Sequence, residues 1–289
     1  MARTNLTQSD PSLAALKQPS ITNLTKIQPH GVMLVLDPND LKVLQASANT
    51  IDEFALDPRN VVGKPLDEIL DPFQVDQFKV GLTEEKLDFI NPVKVWVRQE
   101  GDDYQVFDAV FHRNKEGLLI LELEPALTQE NIPFLSFYHL ARASINQLES
   151  TAELNAFCRV IVQEVRKVTG FDRVMLYRFD DDGHGEVVAE EKCDEMEPYM
   201  GLHYPESDIP KTARQMFLSN WIRVIPNAAA TAVDLYPAKN PVTQQPTDST
   251  NSILRSAYPC HLEYLHNMGV GASLTISLMK DNKLWGLIA

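Results

Sequence analysis

The sequence predicts two α+β domains in tandem, each an antiparallel sheet with flanking helices, and three observations carry that expectation. The 289 residues exceed a typical single domain, and a 44% hydrophobic share lets each half bury its own core. Residues 31–123 read as short strands punctuated by turn residues, with small helices between them. At Pro133 the pattern changes to two long helical repeats followed by paired strands. The boundaries predicted are an N-terminal arm at 1–27, a first domain at 28–127 and a second domain at 128–289.

In chain order, the arm is polar with scattered prolines and has little structure of its own. Strands are expected at Val32–Leu36 and Leu41–Gln45, helical pieces at Thr50–Leu56 and Leu66–Leu70, and a longer helix at Phe73–Leu87. Three more strands follow at Val93–Arg98, Tyr104–Phe111 and Leu118–Leu123, turning at Gly101-Asp102 and Lys115–Gly117. In the second domain, Phe134, Phe137, Leu140, Ala141, Ile145 and Leu148 recur at helical spacing. Phe157, Val160, Ile161, Val165 and Val168 do so again, and Gly170 ends that helix. Strands follow at Arg173–Phe179 and Glu186–Glu190 around Asp180–Gly183, and a hairpin joins Ala272–Met279 to Lys283–Ala289 around Asp281-Asn282. Between these pairs lies a long excursion, Glu195–Gly271, with prolines at Pro205, Pro210, Pro226, Pro237, Pro241, Pro246 and Pro259. Insertions of this length are usually functional, and Met216, Trp221 and Tyr236 are expected to anchor it.

The formal net charge of −14 opposes nonspecific nucleic-acid binding and a polybasic membrane anchor, though two well-placed arginines would suffice for a small acid. No apolar stretch approaches the ~20 residues that cross a bilayer, and the opening lacks a signal-peptide apolar run. A cytoplasmic location follows as the default. Cys158, Cys193 and Cys260 form no CxxC pair, which suits free thiols in a reducing compartment.

Four constellations carry chemistry. Ser256–Gly269 reads as a short helix, with Ser256 as cap, Pro259 in the first position and Gly269 as stop. Cys260 then lies in the first turn, where the helix dipole favours a thiolate, beside His261 and on one face with Tyr264 and Asn267. Alone, the Cys-His dipeptide fits a buried structural thiol better than a reactive one. Tyr204–Pro210 forms a rigid turn in which Ser207 or Asp208 caps a helix from about Pro210 to Ser219, or aims a carbonyl or carboxylate at ligand N–H groups. Arg223 and Arg255, each in an apolar setting, are equally readable as structural ion pairs and as clamps for carboxylates. Ser273, Thr275 and Ser277 share one face of a strand, and Met175, Tyr177 and Phe179 share one face of another; together they suit a mixed pocket.

Taken in order, Ile27–Gly31, Tyr177-Arg178-Phe179, His203–Pro210, Arg223–Pro226, Leu254–Gly271 and Leu284–Ala289 resemble the cyanobacterial-type phytochromes over nearly the whole chain. The resemblance makes the first domain a PAS domain and the second a GAF domain that is incomplete at its C-terminal end, with the arm threaded through a GAF loop. It implies a red/far-red photoreceptor that binds a linear tetrapyrrole (bilin) by a thioether from Cys260. Asp208, through its main chain, and His261 would organise the pyrrole nitrogens, and Arg223 and Arg255 would hold the propionates. Tyr177, Tyr204, Tyr264 and Phe217 would surround the D ring; Ser273 and Thr275 would add polar contacts, and Met175, Ile209 and Pro210 would complete the binding residues. Light would isomerise the bond between the C and D rings. No metal and no catalytic residue is implied for this fragment.

Phytochromes that attach biliverdin use an arm cysteine, and residues 1–27 contain none. The resemblance therefore points to phycocyanobilin, with phytochromobilin or biliverdin as alternatives. In full-length form it implies a homodimeric, light-regulated histidine kinase signalling to a response regulator in a two-component pathway. The stop at Ala289 is expected to strand Leu284–Ala289 without neighbours and to leave photoconversion incomplete. Competing readings are a PAS–GAF module for another small ligand or for dimerisation, without bilin; a thiol enzyme using Cys260 and His261, whose side chains diverge by about 100° on a helix; and a metal site from Cys260, His261 and His266.

Overall fold

The structure, a computed structural model, describes residues 25–83, 91–99, 103–126 and 134–289. Its first domain contains strands β1 (Lys26–Ile27), β2 (Val32–Leu36) and β3 (Val43–Ser47), followed by helices α1 (Thr50–Phe54) and α2 (Pro58–Val61). A 3-10 turn at Leu66–Glu68 leads into α3 (Pro72–Thr83), and β4 (Val93–Arg98), β5 (Tyr104–Arg113) and β6 (Leu119–Pro125) complete the domain. All five residues of β2 are buried, as befits a central strand, whereas β4 at the edge alternates buried valines with exposed Lys94, Trp96 and Arg98. Phe54 meets Phe107 edge to face with ring centroids 5.4 Å apart, at the centre of a core shared by both layers.

The second domain runs α4 (Phe134–Glu149), α5 (Leu154–Thr169), β7 (Arg173–Phe179), β8 (Gly185–Lys192), β9 (His203–Tyr204), α6 (Lys211–Ser219) and β10 (Ile222–Ile225). It continues with β11 (Val233–Tyr236), α7 (Pro259–Asn267), β12 (Ser273–Lys280) and β13 (Lys283–Ile288). Glu153 caps α5 through the N–H groups of Asn155 and Ala156, and Gly170 closes it at φ 72°. Cys158, Ile161 and Val162 of that helix pack on Val174, Leu176, Ala189 and Ile288, covering one face of a six-stranded antiparallel sheet ordered β10-β12-β13-β7-β8-β9. Asp281 and Asn282 turn the final hairpin with φ of 51° and 59°, values that asparagine and aspartate tolerate.

The excursion carries both helices expected in it, α6 and α7, and its strands are what the sequence reading lacked. It supplies three short strands, β9 and β10 to its own sheet and β11 to the other domain. The first sheet is seven-stranded in the order β1-β11-β3-β2-β6-β5-β4, so a strand of the second domain is built into the first. Lys26 and Ile27, read from sequence as the end of an unstructured arm, form a strand paired with Asp234 and Val233 on one edge. On their other edge Gln28 N donates to Leu254 O at 2.7 Å and Ser256 N to Lys26 O at 3.0 Å. The chain is thus flanked on both sides by the excursion as it leaves the arm; residues 1–24, on which the threading expectation rests, lie outside the described residues, as do the Gly101-Asp102 turn and the end of the Phe73–Leu87 helix.

Other differences have local causes. The second strand starts two residues later than expected because Leu41 adopts φ 58°, and α2 was not expected although Asp57 caps it and Pro58 begins it. Trp221 and Tyr236 do not anchor the excursion: they are 63% and 43% exposed. Leu284–Ala289 is not stranded, since β13 pairs with β12 on one side and β7 on the other, and Ala289 exchanges backbone hydrogen bonds with Met175.

Candidate functional site

The face of the second sheet turned away from α5, together with α6, α7 and the turn before α6, encloses a cavity of about 850 Å³, a size typical of cofactor sites. Cys260, His261, Tyr264, Asp208, Ile209, Pro210, Tyr177, Met175, Tyr204, Phe217, Arg223, Arg255, Ser273 and Thr275 all line it. It draws on segments a hundred residues apart in sequence, from Met175 to Thr275, which only the tertiary fold brings together.

Helix α7 supplies the thiol. Pro259 occupies its first turn, and Cys260 follows, exposed, with Tyr264 one turn on. The N-cap position is Tyr258 and has no side-chain cap, so Ser256 does not play that part; a proline at the start removes one N–H that would otherwise need a partner. Asn267 does not face the cavity. His261, Leu265 and Met268 do, as a second row at i, i+4 and i+7 that the sequence spacing would have shown had the face been drawn through His261.

Neither Ser207 nor Asp208 caps α6, whose N-cap is Pro210 without a side-chain bond. The turn is fixed otherwise: Asp208 N donates to Pro205 O at 3.1 Å, and Arg214 donates to Ile209 O and Gly183 O, both at 2.8 Å. Arg214 also lies 4.9 Å over the Phe179 ring, which explains why Phe179, expected at the pocket, is withdrawn from it. On β12, Ser273 and Thr275 face the cavity, while Ser277 is buried and donates to Phe217 O at 2.9 Å. Hydroxyls on this strand are therefore not a solvent-wetted face.

Arg223 and Arg255 lie at one side of the cavity. Arg223 Nη1 donates to Ile253 O at 2.9 Å and its Nη2 to Arg255 O; Arg255 Nη1 donates to Thr250 O at 2.7 Å. Among the described residues neither forms an ion pair with a carboxylate, so the structural salt bridge that the sequence left open is absent. Burial, and then the neighbouring Arg255, lower Arg223 to about 9; burial lowers Arg255 to about 10, and Glu122 opposes the shift in both. Both remain cations at neutral pH.

The other end of the cavity is aromatic. Burial raises the Tyr177 phenol to about 12 and raises Tyr204 and Tyr264 as well, so all three stay protonated. Tyr177 stands 6.0 Å from Tyr204 and 5.1 Å from Phe179 between ring centroids. A Cβ on Gly185 would overlap its ring, so only glycine lets Tyr177 lie flat on β8. Burial, reinforced by Arg223, lowers His261 and keeps the imidazole neutral. Sequence reasoning missed Arg173 and Tyr199, which close the far end: the guanidinium sits 3.6 Å from the Tyr199 ring centroid and 3.3 Å from Glu190. Among the described residues no group of three or more His, Cys, Asp or Glu converges as metal ligands, so Cys260, His261 and His266 do not form a metal site.

Residues 16–126 match the family model described as a PAS fold, and residues 153–289 match the GAF domain model. The chain is 66% identical over 278 residues to cyanobacterial phytochrome A of Nostoc sp., covering 96% of this chain and 36% of that protein. It is 55% identical over 286 residues to the phytochrome-like protein Cph1 of Synechocystis sp., covering 99% of this chain and 38% of that protein. Among solved structures, the chromophore-binding domain of Stigmatella aurantiaca phytochrome P1 superposes with a TM-score of 0.87 at 42% identity, covering 94% of this chain and 88% of that one. The chain thus spans under two fifths of the length of these two cyanobacterial relatives.

Proposed function

The chain belongs to the phytochrome family, and from that premise we propose that its second domain holds a bilin as a light-sensing chromophore, bound covalently to Cys260. One observation carries the site assignment. Two guanidinium groups, one buried (Arg255) and one half-buried (Arg223), unpaired by any described carboxylate, face the same cavity as an exposed thiol on a helix start. That arrangement calls for a ligand with acid groups at one place and an electrophilic carbon at another, and a bilin has both.

The residues fit such a group. Cys260 Sγ would form the thioether to ring A, and Arg223 and Arg255 would take the propionates in charge-assisted bonds. Neutral His261 and the Asp208 main chain would order the pyrrole nitrogens. Tyr177, Tyr204, Tyr264, Phe217 and Met175 would pack the D-ring end with Ile209 and Pro210 nearby, while Ser273 and Thr275 would supply hydroxyls. The bilin, when bound, supplies visible-light absorption and the photoisomerisable bond between its C and D rings. The protein's part is to exclude water, fix the acid groups and leave one end apolar enough for a ring to turn.

Phycocyanobilin is the bilin favoured, on the closeness of the cyanobacterial relatives and on the lack of any cysteine in residues 1–27. Dimerisation, a histidine-kinase output and a response-regulator partner we assign, by analogy, to the part of the phytochrome relatives' length that this chain does not span. No helix among the described residues is long and apolar enough to cross a membrane.

The test is co-expression with bilin-synthesis enzymes, followed by denaturing electrophoresis and zinc-enhanced fluorescence. Wild type should carry a fluorescent band, and Cys260→Ser should fold equally well but lose it. No covalent pigment with either phycocyanobilin or biliverdin would leave the alternative, a tandem PAS–GAF module for another ligand.

A further inference from the structure

One buried carboxylate of the first domain reaches across to the arginines of the second. In β6 the leucines 119, 121 and 123 face the first domain's own core, whereas Ile120, Glu122 and Glu124 alternate onto the opposite face, where Ile120 packs with Leu254. Glu122 is 1% exposed there. Its Oε1 accepts from Ile253 N at 3.0 Å and from His112 Nε2 at 3.0 Å, and its Oε2 accepts from Leu254 N at 2.6 Å. The same short segment is gripped from its other edge by Arg223, which donates to the carbonyls of Ile253 and Arg255. Gln28 from the first domain adds its amide to Val224 O at 3.1 Å, and its backbone N–H donates to Leu254 O at 2.7 Å. Arg255 projects from this pinned backbone directly into the cavity wall.

A role confined to loop packing would account for the two N–H bonds but not for the choice of an acid. Burying a carboxylate in the middle of a sheet is costly unless it is compensated. Here the compensation consists of two backbone donors, a histidine and the field of two cations that face the cavity. Glu122 is also the acid whose charge opposes the lowering of both Arg223 and Arg255. A glutamine could offer only one acceptor oxygen to donors that now occupy two, and it would remove the charge as well.

Building on the assignment of the two arginines to the ligand's acid groups, we propose that Glu122 is their positioning residue, through which the first domain sets the second domain's affinity for a ligand's carboxylates. The ligand chemistry concerned is a linear tetrapyrrole diacid, as opposed to the same tetrapyrrole with its acids masked.

The test uses the full chain and two probes, phycocyanobilin and its dimethyl ester. Covalent attachment is followed by absorbance against bilin concentration, giving a half-saturating concentration and a limiting rate for each. Wild type is expected to saturate with the diacid at lower concentration than with the ester. Glu122→Gln should raise the diacid's half-saturating concentration about tenfold, equivalent to roughly 1.4 kcal/mol. It should leave the ester's value and both limiting rates unchanged, because Cys260 is untouched. His112→Asn, which removes a single donor to Glu122, should act in the same direction but less strongly, and it serves if Glu122→Gln does not fold. Equal weakening of diacid and ester, or none of either, would overturn the proposal. A wild type that treats the two probes alike would instead overturn the arginine assignment, and this proposal with it.

Discussion

Gly185→Ala tests whether the aromatic end of the cavity is set by backbone sterics. Gly185 lies on β8 between Phe179 and Tyr204 in the sheet register, with the Tyr177 ring lying across it. A methyl group there would sit well inside the carbon–carbon contact distance of about 3.5–4.0 Å, so the ring must retreat by more than about 1 Å. Tyr177 is 6% exposed and packed edge to face on Phe179, so it can yield only into the cavity it lines. Overpacking of this kind costs about 1–3 kcal/mol, and each disturbed ring pair adds about 0.5–1.5 kcal/mol. A total of about 2–4 kcal/mol lowers Tm by about 4–16 °C for a domain of this size. The ligand-free variant is assayed by thermal unfolding, and the pigment-loaded variant by its visible spectrum, which should lose sharpness as the displaced ring intrudes on the D-ring end. Tyr177→Leu in the same chain should relieve most of the cost, with a coupling above about 1 kcal/mol in the double-mutant cycle. Additive effects of the two substitutions would refute the steric argument.

Three further outcomes follow from the same geometry. Gly31→Ala places a Cβ 2.7 Å from Leu123 O and 2.8 Å from the Leu254 side chain, so it should loosen the contact between the domains; faster proteolytic cleavage near residues 25–31, with little change in the second domain's own unfolding, is the expected readout. The folded state holds His261 below the ordinary imidazole value of 6.5, so above that pH the histidine leaves stability unaffected. As pH falls from 6.5 through the folded value, the unfolded chain takes up a proton that the folded chain resists, and stability drops. His261→Gln should flatten that acid-side loss in denaturant titrations between pH 7 and pH 5. Phycocyanobilin diacid should raise Tm more than its dimethyl ester does, because two acids relieve two guanidinium groups that are otherwise held charged at a cost; equal shifts would contradict this.

Elements governed by local rules were legible in the sequence. Gly170 stops α5, Asp281-Asn282 turns the last hairpin, and Val93–Arg98 and Arg173–Phe179 occur at the residues expected. What the sequence hid was non-local. Four-residue β11 has no periodicity that could name its partner, and its pairing with β3, nearly two hundred residues earlier, exists only in the folded chain. The caps failed for a positional reason: Ser256, Ser207 and Asp208 are good capping residues, yet α6 and α7 take Pro210 and Tyr258 as their N-caps, which leaves all three outside the cap position. For the site, Cys260, Tyr264, Arg223 and Arg255 were each visible but individually ambiguous. Arg173 was not visible at all, because an arginine opening a strand carries no signal until Tyr199 folds beneath it.

The arginines show why the ambiguity could not be settled one residue at a time. A structural ion pair and a ligand clamp demand the same residue type in the same apolar setting, and they differ only in whether an acid of the protein stands opposite. The acid nearest in effect, Glu122, belongs to the other domain and spends both oxygens on backbone N–H groups and a histidine. It therefore tempers the cations through space without neutralising them. Were it in direct contact, the pair would be self-satisfied and the cavity would have no claim on an external anion; were it absent, two adjacent cations would repel without its bonds to the N–H groups of Ile253 and Leu254 to steady the backbone between them. The intermediate placement, across the 253–255 segment, leaves the guanidinium groups charged, fixed and open to a ligand's acids. It also makes the first domain, which contributes little else to the cavity, a participant in what the second domain binds.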